Sequence, residues 1–63
     1  MPLVRSKIYQ RLADGSTTGF VSIAADDTSE GETFSFFLAP GQQPEDDTLV
    51  ELFAQGRLIP VES

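Results

Sequence analysis

Cysteine, histidine and tryptophan are missing from the 63 residues of this chain. Without cysteine no disulfide can form, so the fold depends on its core and its hydrogen bonds. Without histidine or cysteine, the commonest general base and the most reactive nucleophile of enzymes are also missing. The single lysine, Lys7, is expected on a solvated strand face. We therefore expect no catalytic activity, no cofactor and no metal site.

Long apolar runs are missing as well. No segment approaches the roughly 20 apolar residues of a membrane span, and no apolar stretch of signal-peptide length follows the N-terminal Met-Pro-Leu-Val-Arg. These absences predict a cytoplasmic protein with one domain over residues 1–63. A core this small rarely supplies more than about 3–5 kcal/mol, which favours association with a partner or a second copy.

Positive charge is scarce and lies almost entirely in the first 25 residues, where Arg5, Lys7 and Arg11 stand against Asp14. Residues 26–63 carry nine carboxylates against Arg57, and the whole chain has a net charge of −6. Most of these carboxylates fall in two segments, 26–32 and 45–47, whose members are Asp26, Asp27, Glu30, Glu32, Glu45, Asp46 and Asp47. A dense negative surface attracts basic protein grooves, while solubility explains the same charge equally well.

The first of these segments partly matches a calcium-binding loop. With Asp26 at position 1, Glu30 and Gly31 fall at positions 5 and 6 of an EF-hand loop. The bidentate glutamate required at position 12 is replaced by Phe37, and no helix is predicted before the loop. The segment is therefore interpreted as a solvated turn and not as a metal site.

Alternation of apolar and polar residues predicts a first strand over residues 3–12. Asp14-Gly15 follows, and this dipeptide favours a two-residue type I′ hairpin turn. That turn would place Tyr9 opposite Phe20 on the second strand. A three-residue loop would shift the pairing by one position.

The rest of the chain predicts strands at 17–25 and 33–38, a helix over 44–55 that begins at Pro44 and ends before Gly56, and a last strand at 57–61. Pro60 confines this last strand to a sheet edge, beside either the first or the third strand. The order β-β-β-α-β predicts an α+β fold, a three- to four-stranded antiparallel sheet with the helix packed on one face. The face expected under the helix is formed by Ile8, Val21, Ile23, Phe34 and Phe36.

The opposite sheet face is the sharper candidate site in this sequence. In the two-residue register it combines aromatic and basic side chains, namely Tyr9, Phe20, Phe37, Arg5, Lys7 and Arg11. Such a face suits a partner-protein interface, a homodimer interface, a purely structural aromatic pair or single-stranded nucleic acid. The net charge of −6 makes nucleic acid the weakest of the four, because neutralisation of phosphates dominates that affinity.

In size and charge the chain is similar to the short, acidic, cysteine-free proteins with which viruses of bacteria block host enzymes. No motif carries this likeness, and it assigns no residue a role. It implies docking on a host enzyme by charge mimicry. The sequence thus predicts a non-catalytic protein that docks on and modulates or inhibits a partner protein. The carboxylates would steer the partner, and Tyr9, Phe20 and Phe37 would be buried against it.

Overall fold

The computed structural model describes residues 1–61, so Glu62, which contributes to the acidic total, lies outside the described residues. Its elements are β1 (Leu3–Arg11), β2 (Thr17–Ala24), β3 (Glu32–Leu38), α1 (Asp46–Ala54) and β4 (Ile59–Pro60). The strands form one antiparallel sheet in the order β1-β2-β3-β4. The predicted α+β fold with the order β-β-β-α-β is confirmed.

The hydrophobic core lies between the sheet and α1. Its buried members are Val21, Ile23, Phe34, Phe36, Leu38, Leu49 and Leu58. Phe53 on the helix meets Phe34 edge to face, with ring centroids 5.4 Å apart. Alternation along β2 and β3 therefore gave the inward-facing residues of these two strands correctly.

The hairpin between β1 and β2 has a three-residue loop. The backbone N–H of Leu12 donates to the carbonyl of Ser16 (2.8 Å), and the N–H of Gly15 donates to the carbonyl of Leu12 (3.0 Å). Gly15 alone in this loop has a positive φ, +90°, which is the pattern of a type I turn followed by a left-handed glycine. The expected type I′ turn is wrong, because it would need a positive φ at Asp14 as well.

The extra loop residue shifts the strand pairing by one position. Ile8 lies opposite Phe20, and Tyr9 lies opposite Gly19. The predicted Tyr9–Phe20 pair is therefore wrong. Ile8, expected in the core, is on the side of the sheet away from the helix, because directly opposed residues share a face.

A β-bulge at Arg5 interrupts the alternation of inward and outward side chains at the start of β1. Val4 pairs with Ile23, Ser6 pairs with Ser22, and Arg5 has no partner between them. A bulge inserts one residue and so reverses which side the following side chains face. Val4 thus packs against the core while Ser6 points away from it.

Helix α1 is shorter than the helix predicted over residues 44–55. It begins at Asp46, and Pro44 is a buried residue of the preceding loop. Glu45 is the N-cap residue and makes no side-chain capping bond. The helix ends before Gly56, whose φ of +71° fits the predicted glycine cap.

The last strand pairs with β3, which settles the alternative that the sequence left open. Only Ile59 and Pro60 form the strand, and the N–H of Val61 adds one bond to the carbonyl of Thr33 (3.0 Å). Pro60 lies on a sheet edge as predicted. Among residues 1–61 there is no helix long and apolar enough to cross a membrane.

Candidate protein interface

On the sheet side away from α1, three rows of side chains that begin at Ser6, Ile8 and Gln10 carry no charged residue among those described, and these rows are called the outer face below. The three rows hold ten side chains: Ser6, Ile8, Gln10, Thr18, Phe20, Ser22, Thr33, Ser35, Phe37 and Ile59. The Leu3–Ala24 pair lies beyond them, at the end of the sheet next to the β2–β3 loop. In the full chain 22% of the residues are charged. The charged side chains lie on the helix side of the sheet, in the loops and at the helix, except for Arg5, which lies at the bulge near Ser22 and thus at one end of the outer face.

Four large apolar side chains are exposed on the outer face. The exposed fractions are 71% for Ile8, 49% for Phe20, 63% for Phe37 and 67% for Ile59. One row crosses all four strands, with Ile8 opposite Phe20, Phe20 opposite Ser35 and Ser35 opposite Ile59. A contiguous apolar patch of this kind on a folded surface marks an interaction site.

Two of the three cations of β1 contact the segment that leads into the helix. The Lys7 ammonium lies 2.8 Å from Asp46 Oδ1 and donates to the carbonyl of Pro44 (2.8 Å). The Arg11 guanidinium donates to Gln43 Oε1 (3.2 Å). The expectation that Lys7 and Arg11 share a face with Phe20 is wrong, because the shifted register turns both cations to the helix side.

The third cation, Arg5, holds the loop between β2 and β3. From the bulge its guanidinium donates to the backbone carbonyls of Asp27 and Ser29 (2.9 Å each), with a longer contact to Asp26 (3.4 Å). Arg5 is thus a structural clamp on this loop. Of the three cations expected beside Phe20, only Arg5 lies on that side of the sheet, near Ser22, and its guanidinium is bound to the loop.

Tyr9 is separated from the other two aromatic candidates by the sheet. It lies on the helix side, 48% exposed, opposite Gly19. A Cβ on Gly19 would lie 2.7 Å from Tyr9 Cβ and 2.2 Å from the Ile8 carbonyl, so only glycine fits there. The structure brings together Phe20 and Phe37 and replaces Tyr9 by two residues that sequence reasoning missed.

The missed residues are Ile8 and Ile59. Ile8 was missed because the two-residue loop predicts a register that places it in the core. The register of a three-residue loop places it on the outer face. Ile59 is adjacent to Pro60, and the alternation of a strand already placed these two neighbours on opposite faces. Pro60 pairs with the buried Phe34, so Ile59 has to point outward.

The acidic segment 26–32 contains a structured turn. Asp26 Oδ1 accepts hydrogen bonds from Thr28 N (2.9 Å), Thr28 Oγ1 (2.8 Å) and Ser29 Oγ (2.8 Å). The hydroxyl bonds from Thr28 and Ser29 lower the pKa of Asp26 to about 2. Asp26 therefore organises the loop, while the neighbouring Asp27 and Glu30 are exposed to solvent.

The two acidic segments are attached separately to β1. Segment 26–32 is bound through Arg5, and segment 45–47 is bound through the Lys7–Asp46 ion pair. Within residues 1–61 no ion pair or side-chain hydrogen bond joins the two segments directly. Each acidic segment thus has its own cation on β1.

The lowered pKa values of two aspartates are caused by hydrogen bonds within turns. Hydrogen bonds from Ser16 lower the pKa of Asp14, just as Thr28 and Ser29 lower that of Asp26. Both groups are exposed and shifted downward, whereas a carboxyl acting as a general acid near neutral pH needs its pKa raised. In the described part of the chain, no group of three or more potential ligands is placed to hold a metal ion.

The outer face is thus uncharged, carries four exposed large apolar side chains and extends across all four strands. Interfaces between proteins are depleted of charge at their centres and enriched in aromatic residues, which Phe20 and Phe37 supply. Comparison of the chain with protein-family models, with curated proteins and with solved structures finds no match.

Proposed function

We propose that this chain is a non-catalytic binding protein that docks on and modulates another protein, with the outer face as its buried contact surface. The observation that carries the proposal is the uncharged row Ile8–Phe20–Ser35–Ile59 with its exposed apolar side chains. A few side chains buried near the centre of an interface supply most of the binding free energy.

The carboxylates outside the outer face support an electrostatic part of this function. Lys7–Asp46 is the one ion pair in the described chain, which leaves the exposed carboxylates of Asp27, Glu30 and Asp47 without a cationic partner there. Uncompensated charge of one sign speeds encounter with an oppositely charged surface. A partner protein with a basic surface fits this arrangement, and docking on an enzyme would inhibit it.

Nucleic acid is less well supported than protein. Stacking of single strands needs cations beside the exposed aromatic rings, to neutralise the backbone. Here Phe20 and Phe37 have no cation in their rows, while the side chains of Arg5, Lys7 and Arg11 bind within the chain. The geometry thus favours the protein partner.

The proposal is tested by capture on the immobilised protein from a nuclease-treated cell extract, with bound proteins identified by mass spectrometry. Phe20→Glu places a charge at the centre of the outer face. Tyr9→Glu is the matched control, because Tyr9 is equally exposed on the other side of the sheet. Circular dichroism verifies that both variants fold.

We expect a protein that binds wild type and Tyr9→Glu and is reduced at least about tenfold by Phe20→Glu, as a loss of about 1.4 kcal/mol implies. Glu30→Lys and Asp47→Lys test the electrostatic part, and both should weaken capture of a basic partner, most at low salt. Asp46 is less suitable because it also holds Lys7. Equal capture by wild type and Phe20→Glu would contradict the proposed contact surface. Capture that occurs from untreated extract and disappears after nuclease treatment would indicate nucleic acid.

A further inference from the structure

We infer that the protein covering the outer face is a second copy of this chain, related to the first by a two-fold axis parallel to the strands and between β2 and β3. The inference rests on the proposed function, since it takes the outer face as a protein contact surface and names its occupant. The carboxylates at the loops and the helix stay outside this contact, and a partner protein that binds the outer face would displace the second copy.

Charge is the first argument for a second copy. Burying an unpaired charge is costly, so an uncharged face is matched by another uncharged face. The outer face contains no charged side chain among its ten members. A second outer face brings no charge into the contact and therefore meets this requirement without any adjustment.

Side-chain size is the second argument. A two-fold axis parallel to the strands, passing between β2 and β3, places each β2 residue over the β3 residue of the same row in the other copy. Phe20 then lies over Ser35, and Phe37 lies over Thr18, in both directions. Large side chains thus face small ones in two successive rows, the pattern by which packed sheets about 10 Å apart interdigitate.

The sheet edges favour this face over edge-to-edge pairing. β1 is the long exposed edge, but it carries the bulge at Arg5 and the charged Lys7, two features that protect an edge from another strand. The other edge, β4, has two residues and includes Pro60. The outer face has none of these protections.

The size of the face sets the strength that we expect. Specific dimers bury about 800 Å² per partner, under a fifth of the 4330 Å² that the described chain exposes. The ten residues of the outer face are fewer than the roughly 20–30 per side of such interfaces. We therefore expect a reversible dimer in the micromolar range that forms and separates on dilution.

Salt should affect this dimer and binding to a basic partner in opposite directions. Each copy has a net charge of −6, and the chosen axis puts both β2–β3 loops at the same end of the dimer. Their carboxylates repel, and added salt screens this repulsion while leaving the apolar contact intact. Self-association should strengthen as salt rises, whereas binding to a basic partner should weaken.

The first experiment is sedimentation equilibrium of the purified full chain over a dilution series, from low salt to about 1 M salt, where the Debye length is about 3 Å. We expect a mass that rises from 6.9 kDa toward twice that value with concentration, at lower concentrations in high salt. Phe20→Glu should weaken the dimer at least tenfold, and Tyr9→Glu should weaken it less than threefold. Phe37→Ser, which adds no charge, is the second variant if Phe20→Glu fails to fold.

A size exchange tests the arrangement of the two copies. Phe20→Ser leaves a gap over Ser35 of the other copy, and Ser35→Phe places two large rings over each other. The double variant restores one ring over one serine, with the strands exchanged. We expect each single variant to weaken the dimer and the double variant to recover at least half of the lost association on a logarithmic scale.

The possible results separate this inference from the proposed function. A mass of 6.9 kDa at every concentration and salt overturns the inference, and if capture still depends on Phe20 the proposed function survives it. A dimer that ignores Phe20→Glu also overturns the inference, because its interface is then the β1 edge or another surface. A dimer that needs Phe20 but is not restored by the double variant overturns the axis. If neither mass nor capture responds to Phe20→Glu, both proposals fail.

Discussion

Asp26 shows how a single carboxylate links the stability of the β2–β3 loop to pH. Its folded-state pKa of about 2 lies below the ordinary value of 3.8, because the carboxylate accepts bonds from Thr28 and Ser29. The charged form therefore contributes stability at pH values above 3.8, and this contribution is lost as the pH falls through about 2. We expect the carboxyl-carbon NMR shift of Asp26 to titrate with a midpoint at about pH 2.

Asp26→Asn should reduce the acid-induced loss of stability over that same interval. The asparagine side-chain oxygen still accepts the loop bonds but does not titrate, so urea unfolding at pH 3.8 and pH 2 should differ less than in wild type. Asp27→Asn is the control, because the side chain of Asp27, the next residue, makes no hydrogen bond in the described structure. Equal effects of the two substitutions would mean that net charge, and not the loop bonds, causes the acid sensitivity.

At the scale of elements, periodicity predicted the strands well and their register poorly. Inward residues of β2 and β3, such as Val21 and Phe34, followed from alternation because one face must be buried. The register of β1 depended on whether the Asp14-Gly15 loop has two or three residues. Local sequence favours both loops, and the packing of the whole sheet decides between them. The bulge at Arg5 has no local sequence signal.

The end of α1 is an element whose cap the sequence did predict, and it yields a stability prediction. The N–H of Gly56 donates to the Phe53 carbonyl (3.0 Å) and the N–H of Arg57 donates to the Leu52 carbonyl (2.9 Å), which is a Schellman motif. Since Gly56 has a φ of +71°, Gly56→Ala forces an L-residue into the left-handed region. We expect a loss of about 1–2 kcal/mol in urea unfolding.

Gly56→Asn is the informative companion variant, because asparagine tolerates this conformation better than alanine does. It should cost clearly less than Gly56→Ala. No Cβ clash complicates the comparison, as nothing lies within 4 Å of a Cβ built on Gly56. If asparagine and alanine destabilised the protein equally, backbone strain at this cap would not be the cause.

For the whole molecule, the sequence indicated that a sheet face without helix cover exists but not which residues form it. Phe20 and Phe37 were correctly placed on it, since each lies next to core residues in its own strand. Tyr9 and Ile8 exchanged faces through a one-residue shift. The same shift moved Lys7 toward Asp46, so a face expected to be basic is uncharged. Long-range pairing, which local patterns do not encode, set the chemistry of the candidate site.

The small core connects stability with self-association. Leu49 is fully buried between α1 and the sheet, and Leu49→Ala should cost about 2–5 kcal/mol. A core in a chain this short supplies only about 3–5 kcal/mol, so the isolated variant should be largely unfolded. Because only folded chains form the dimer, a higher protein concentration favours dimerisation and should thereby restore folding.

Far-UV circular dichroism of Leu49→Ala across a concentration series measures this coupling. We expect the folded fraction to rise with concentration, and to rise further in high salt, where the repulsion between acidic copies is screened. Adding Phe20→Glu to Leu49→Ala should remove the concentration dependence, because folding then receives no contribution from the outer face. If the folded fraction of Leu49→Ala did not change with concentration, the core alone would stabilise the chain. The outer face of the folded protein would then stay open to a different partner.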